Sequence, residues 1–336
     1  MEEVEVKREE NANAHKSVLD YDEGFTPRYE KRVRAVEETQ PEPKVPESED
    51  HDVAQSGSVQ ENTKTKQVEK TEEVENARYT NFAIIIDTDI WNQIARLLYV
   101  LADEVKFSLD RNGMHVITVD PAYVAMITID MPRESTRELY LPDGNAEFVV
   151  RLKDSPKLKN GSVMRIARSN SKKDLVISVN GLEYTISSED YDYEAPKARL
   201  PQLNYGDYAT VSVDALRNFI SATKNTSDAF RVTFNPDNVE LRSRNADNNE
   251  VRTELTRAYG LIDSRIQEKY RSTYPREYLD KLVKAVPTIT EMKLEIKDDY
   301  PLRATFMLPE TVAKTKGHYA HGVIPCIYLL APRMEQ

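Results

Sequence analysis

Several residue types that carry chemistry or cross-linking are scarce in this sequence. One cysteine in 336 residues excludes a disulfide framework and a cysteine-based zinc site. Ten glycines leave few for phosphate-cradling loops, and neither G-x-G-x-x-G nor G-x-x-x-x-G-K-[ST] occurs. No apolar run approaches the ~20 residues that span a bilayer. The acidic N-terminus does not read as a signal peptide.

What is present is unevenly placed. Acidic residues outnumber basic ones by 57 to 46. Residues 1–78 hold 21 of the acidic and 12 of the basic side chains, and only three aromatics, Tyr21, Phe25 and Tyr29. This composition buries too little apolar surface to offset the entropy of ordering, so a disordered acidic tail is expected over 1–78. A short helix around Tyr29–Glu38 would have almost no apolar face.

From residue 79 the pattern is that of a folded α+β protein. Asn81–Asp87 reads as a buried strand. Ile90, Ile94, Leu97, Leu98 and Leu101 then recur at helical spacing, with Asp89 expected at the N-cap. Phe107 and Leu109 alternate up to Asn112-Gly113, and Met114, Val116 and Thr118 alternate away from it. That is a hairpin signal, since Asn-Gly supplies two positions with φ > 0. Further strands are expected over Tyr123–Ile129, Glu147–Leu152, Val163–Arg168, Leu175–Val179 and Leu182–Ser187, with a short helix at Asp154–Leu158.

The second half repeats the first. A strand at Tyr208–Val213 leads to a helix with Leu216, Phe219, Ile220 and Thr223, for which Asp214 is the expected cap. Phe230, Val232 and Phe234 alternate into a turn at 235–238. The matching features lie 123–124 residues apart, and a helix at Arg276–Ala285 completes the second copy. One order of elements at one offset implies a duplicated domain. The expected organisation is tail 1–78, first domain 79–187, connector 188–206 and second domain 207–336.

No catalytic constellation emerges. His318 and His321 lack a third ligand. Asp87/Asp89 and Asp190/Asp192 are spaced as D-x-D pairs, but the first is better read as helix capping and the second lies in the acidic connector. Ser162 has no G-x-S-x-G frame, and Cys326 lies in an apolar strand. No cofactor and no metal are expected.

Three stretches carry a family resemblance: Val119-Asp120-Pro121-Ala122-Tyr123-Val124 after the first hairpin, YPREYL at 274–279, and YLLAPRM at 328–334. Together they resemble sliding clamps of the proliferating cell nuclear antigen (PCNA) type, archaeal-like, over about 79–336. The resemblance implies a ring of three subunits, with antiparallel sheets outside and helices lining a central hole. It implies a non-enzymatic processivity factor that encircles double-stranded DNA without sequence preference and tethers DNA polymerase, flap endonuclease and DNA ligase after action of a clamp loader. A cytoplasmic location follows if the source is archaeal, a nuclear one if it is eukaryotic, and no membrane is involved.

Residue by residue, the resemblance places Arg96, Lys153, Lys157, Lys159, Arg217, Lys224, Lys281 and Lys284 toward DNA. It places Val119, Tyr123, Met126, Ala198, Leu200, Pro301, Leu329, Ala331 and Pro332 in a partner-peptide pocket. Leu182, Tyr184 and Ile186 on one edge strand, and Val251, Thr253 and Leu255 on another, take the subunit-interface positions. The ring is expected to be a homotrimer. A checkpoint-type or heterotrimeric clamp subunit is the competing reading in the same fold, and a metal-dependent nuclease the competing reading outside it.

Overall fold

The computed structural model describes residues 81–168, 174–186, 201–286, 291–308 and 324–333. The expected tail, its short helix, and most of the connector lie outside the described residues.

The first half runs β1 (Ala83–Asp87), α1 (Thr88–Leu98), β2 (Glu104–Asp110), β3 (Gly113–Val119), β4 (Ala125–Pro132), β5 (Glu138–Tyr140), β6 (Ala146–Arg151), β7 (Val163–Arg168), β8 (Leu175–Val179) and β9 (Leu182–Ile186). Single 3₁₀ turns stand at Arg133–Ser135 and Leu152–Asp154. The second half runs β10 (Tyr208–Ser212), α2 (Val213–Ala222), β11 (Ala229–Asn235), β12 (Asn238–Arg244), β13 (Glu250–Leu255), β14 (Leu261–Arg265), β15 (Tyr270–Pro275), α3 (Arg276–Ala285), β16 (Glu291–Glu295), β17 (Leu302–Leu308) and β18 (Ile324–Leu330).

The two halves share one pairing scheme. In the first, β1 lies between β5 and β7, β7 leads to β8 and β9, and β2 pairs with both β3 and β6. In the second, β10 lies between β14 and β16, β16 leads to β17 and β18, and β11 pairs with both β12 and β15. The halves are joined by one antiparallel ladder, β18 against β4, from Cys326–Ile129 to Leu330–Ala125. That ladder makes a nine-stranded sheet, β14-β10-β16-β17-β18-β4-β3-β2-β6, flanked by a five-stranded sheet ending in β9 and a four-stranded sheet ending in β13.

Alternation in the strands and the helical stripes supply the core. Ile90, Trp91, Ile94, Leu97 and Leu98 of α1 are buried with Phe82, Phe107 and Phe148, whose rings stack at 5.0–5.2 Å. Leu216, Phe219 and Ile220 of α2 and Leu279, Leu282 and Val283 of α3 do the same for the second half.

Four local expectations are corrected. Asp87, not Asp89, is the N-cap of α1. Asp89 sits in the first turn, and its carboxylate accepts from the Gly161 backbone N–H at 2.7 Å. Likewise Ser212 is the N-cap of α2, and Asp214 follows in the first turn, paired with Arg217 at 3.0 Å. The first hairpin turns one residue earlier than expected, at Arg111-Asn112, because Asp110 pairs with Gly113. The Asp110 carboxylate accepts from the Asn112 and Gly113 N–H groups, and only Gly113 takes positive φ (142°). A Cβ there would lie 2.0 Å from the Met131 carbonyl oxygen. At Asn180-Gly181 both turn residues do have φ > 0, 49° and 78°.

The fourth correction bears on function. The helix expected at Asp154–Leu158 is only the 3₁₀ turn Leu152–Asp154. Ser155 is extended, φ −63° and ψ 134°, because a residue before proline is pushed out of the helical region and Pro156 follows it. In the duplicate, Pro275 precedes α3 at its N-cap and leaves the helix intact. The non-helical segment is strapped to α1. Asn92 Nδ2 donates to the Leu158 carbonyl at 3.0 Å and to Asn160 Oδ1 at 2.7 Å, and Thr88 Oγ1 donates to the Lys159 carbonyl at 2.9 Å.

Candidate functional site

Three surfaces gather the candidate residues. The first is a pair of sheet edges. β9 and β13 each end a sheet, so each presents backbone groups to one side without a neighbouring strand among the described residues. Leu182 is 59% exposed and Tyr184 is 36% exposed, while Ile186, Val251 and Thr253 are half-buried and Leu255 is fully buried. Leu255 therefore anchors β13 to the core. The charges of β13 are stitched along its outer row, with Arg252 bridging Glu240 at 2.7 Å and Glu254 at 2.6 Å.

The second surface is cationic and lies on the helices and the strapped segment. Arg96, Lys153, Lys157, Lys159, Lys224, Lys281 and Lys284 are all exposed. Lys153 lies in the 3₁₀ turn and Lys157 and Lys159 on the extended segment. Lys281 Nζ lies 5.5 Å from the Tyr278 ring centroid, and Lys284 is paired with Asp280 at 2.7 Å. Arg217 has a different place. Its Nε donates to the Val283 carbonyl at 2.7 Å, Nη2 donates to the Val286 carbonyl, and Nη1 meets Asp214. The guanidinium satisfies carbonyls at the end of α3, which would otherwise lack partners, and so binds α2 to α3.

The third surface lies across the joint between the halves. By register, Val119 faces Met126, Met126 faces Leu329 and Leu329 faces Arg303, so these four side chains form one row on one face of the nine-stranded sheet. Val119 and Leu329 are buried and Met126 is half-buried, which makes them a floor. Tyr123, in the turn between β3 and β4, is 72% exposed at φ 56°. Pro301 precedes β17, and Ala331 and Pro332 follow β18. Ala198 and Leu200 lie outside the described residues.

Asp120 builds the turn that holds Tyr123. Its carboxylate accepts from the N–H groups of Ala122, Val124 and Ala125 at 2.6–3.0 Å and from the Tyr278 hydroxyl at 2.8 Å. Burial and the Asp120 bond push the Tyr278 hydroxyl up to about 12, so it remains a donor. The segment after β18 is fixed as well: Ala331 N–H donates to the Val124 carbonyl at 2.8 Å, and Arg333 N–H to the Thr273 carbonyl at 2.7 Å. The Arg333 guanidinium reaches Asp228 at 2.7 Å and holds that carboxyl below its usual range. The D-x-x-Y-V segment signalled Asp120 and YPREYL contains Tyr278, but nothing in either segment announced the bond between them, 158 residues apart in the chain.

His318, His321, Asp190 and Asp192 lie outside the described residues. Among the described residues no group of three or more His, Cys, Asp or Glu side chains is placed to hold a metal. Asp87 is buried against Arg137 at 2.6 Å. Burial pushes the Cys326 thiol well up, away from the reactive thiolate. No helix among them is long and apolar enough to cross a membrane.

No protein-family model matches the chain. Relatives do. It is 32% identical over 254 residues to the DNA polymerase sliding clamp of Thermoplasma acidophilum, covering 73% of this chain and 95% of that one. It is 34% identical over 250 residues to the clamp of Picrophilus torridus, covering 72% and 95%. The chain belongs to the DNA polymerase sliding clamp family.

The family is non-enzymatic, and this clamp is a processivity factor of the PCNA kind, archaeal in type. Its fold matches PCNA from Thermococcus kodakaraensis with TM-score 0.65 at 21% identity, covering 75% of this chain and all of that one. It also matches A. fulgidus PCNA, solved with the C-terminal region of FEN-1 bound, with TM-score 0.64 at 20% identity, covering 76% and 99%. DNA and DNA polymerase are the partners that membership of the family brings to this clamp.

Proposed function

We propose that this clamp closes as a homotrimeric ring by pairing β9 of one copy with β13 of the next, encircles duplex DNA, and holds replication and repair enzymes in the groove over Val119, Met126 and Leu329. One observation carries the ring. Within the repeat, β9 is the counterpart of β18, and β13 the counterpart of β4. The internal joint is β18 against β4, so the two free edges are the duplicates of strands that already pair. Repeating that joint between copies gives a head-to-tail interface, which closes on itself when its rotation completes a turn.

The cations fit a sliding grip. Arg96, Lys153, Lys157, Lys159, Lys224, Lys281 and Lys284 supply phosphate contacts without base-edge readers, as sequence-independent encirclement requires. Arg217 serves here by holding α2 and α3 together. The groove suits a short peptide with apolar anchors, and the A. fulgidus clamp with its bound FEN-1 segment supports such a mode. Flap endonuclease, DNA ligase, DNA polymerase and the clamp loader are the partners proposed. Tethering raises the effective concentration of the enzyme at the primer end.

Light scattering of the purified chain tests the ring. A mass of three copies is expected, and proline at Tyr184 or Thr253 should give folded monomers. A wild-type mass of one copy that becomes three only with a second clamp chain would establish a heterotrimer. Alanine at Lys224, Lys281 and Lys284 should shorten retention on circular DNA and flatten its salt dependence, because fewer counterions are released. Equal retention across a salt series would remove these lysines from the DNA surface.

A further inference from the structure

The repeat gives each residue of the free edges a counterpart at the internal joint. The N-caps Asp87 and Ser212 are equivalent, so Ile85 matches Thr210. Ile85 pairs with Arg165, Arg165 with Ser178 and Ser178 with Glu183. In parallel, Thr210 pairs with Lys293, Lys293 with Thr305 and Thr305 with Ile327. Glu183 on β9 is therefore the counterpart of Ile327 on β18. The closing pairs of the two hairpins, Asp110–Gly113 and Asn235–Asn238, are also equivalent, so Ile117 matches Arg242. Ile117 pairs with Thr128 and Arg242 with Arg252, which makes Arg252 on β13 the counterpart of Thr128 on β4. At the joint, Ile327 faces Thr128.

We infer that two copies pair in this same register, with Glu183 of one copy opposite Arg252 of the next, and that this charge pair selects the register. The inference rests on the ring reading given above and names the register which that reading leaves open. The neighbouring pairs are then Leu182 opposite Thr253 and Tyr184 opposite Val251. Within its own sheet Leu182 pairs with Val179 and Tyr184 with Ile177, both buried in the core, so these exposed side chains stand on the core-side face and gain cover there. Tyr184 takes the place that Tyr328 holds at the joint. On the opposite face β13 carries Glu250, Arg252 and Glu254 at alternate positions, all exposed. A slip of two residues in either direction keeps the faces but sets Glu183 against Glu250 or Glu254, and like charges directly opposite are destabilising. A slip of one residue turns Leu182 and Tyr184 away from the core side. Arg252 already meets Glu240 and Glu254, so Glu183 extends an existing charge network. Both members of the pair lie in one chain on different edges, so the surface fits a second copy of this chain, head to tail.

Engineered cysteines in the full chain read the register. Glu183→Cys with Arg252→Cys should give disulfide-linked dimers and trimers on a non-reducing gel, because directly opposed Cα atoms lie about 4.5–5.5 Å apart, within disulfide range. Tyr184→Cys with Val251→Cys, which spares the charges, should link as well. Glu183→Cys with Glu250→Cys or with Glu254→Cys should link far less, since diagonal neighbours are about 7–8 Å apart. Charge variants test what selects the register. Glu183→Gln should weaken each interface by up to about fivefold, read by sedimentation on dilution. Glu183→Lys should dissociate more readily still, and added salt should narrow the gap between the two variants. Stronger linking to Glu250→Cys or Glu254→Cys would overturn the register and leave the ring standing. Equal dissociation of the Gln and Lys variants would overturn the selection by charge. A wild-type mass of one copy would remove the ring, and the register with it.

Discussion

The joint between β4 and β18 and the free edges β9 and β13 are duplicates in the repeat, yet their surfaces differ. At the joint, Ile127, Ile129, Cys326, Tyr328 and Leu330 are each 0% exposed. Along β9 four of five residues are exposed, and β13 places Glu250, Arg252 and Glu254 on its outer row. A joint made inside one chain meets its partner during folding and can be apolar. An edge that first exists unpaired must avoid the wrong strands, and charged side chains on an edge do that. On the proposed ring, the same ladder geometry would carry two sequence solutions, one for permanence and one for choice of partner.

Breaking the internal joint should have the largest effect. Tyr328→Ala removes a fully buried ring from β18 and should cost about 3–5 kcal/mol, read as a lowered midpoint in chemical denaturation. Proline at Tyr184 should by contrast change the mass and leave that midpoint nearly in place. Equal loss of folding in both variants would dissolve the distinction between joint and edge.

Asp120 sharpens the comparison, because the bond it accepts from Tyr278 is a second tie across the joint, additional to the ladder. Asp120→Asn should cost about 1.5–3 kcal/mol, the range for hydrogen bonds to a charged group, without altering assembly. Tyr278→Phe should cost about 1 kcal/mol. Denaturation curves and sedimentation on the same samples separate the two effects.

The smallest effect concerns pH. His115 stands beside the joint on β3, its Nδ1 2.7 Å from Asp130 and its Nε2 3.1 Å from Asp110. The bond to Asp130 is the main cause that raises its pKa, burial opposes it, and Asp110 adds to the rise. Protonated His115 thus contributes stability that is fully present below its ordinary value of 6.5 and is lost as pH rises through the higher folded value. His115→Gln should be less stable than wild type at pH 6 and approach it at alkaline pH. A constant difference across thermal melts from pH 6 to 9 would remove His115 from this role.

Much of the fold was legible because it is written in local alternation. Phe107 with Leu109 and Phe230 with Val232 mark equivalent strands at one offset, and the stripe on α1 stands out without help. The errors were local as well. Pro156 sat in plain view, but its effect falls on Ser155, one residue upstream, and that ended the expected helix. The joint itself was illegible: nothing near Ile127 announces Tyr328, two hundred residues on, as its neighbour. Of the groove, the D-x-x-Y-V and C-terminal segments were readable by resemblance. Arg303, the next member of the row, was not, since it meets Leu329 only through the pairing of β17 with β18.

The continuous nine-stranded sheet also decides where a pull on the molecule is borne. Force directed across its waist loads the backbone hydrogen bonds of the β4–β18 ladder side by side, and they must yield as a group rather than one at a time. Two halves made as separate chains should therefore find each other along Ile127 and Tyr328 and mend the seam unaided.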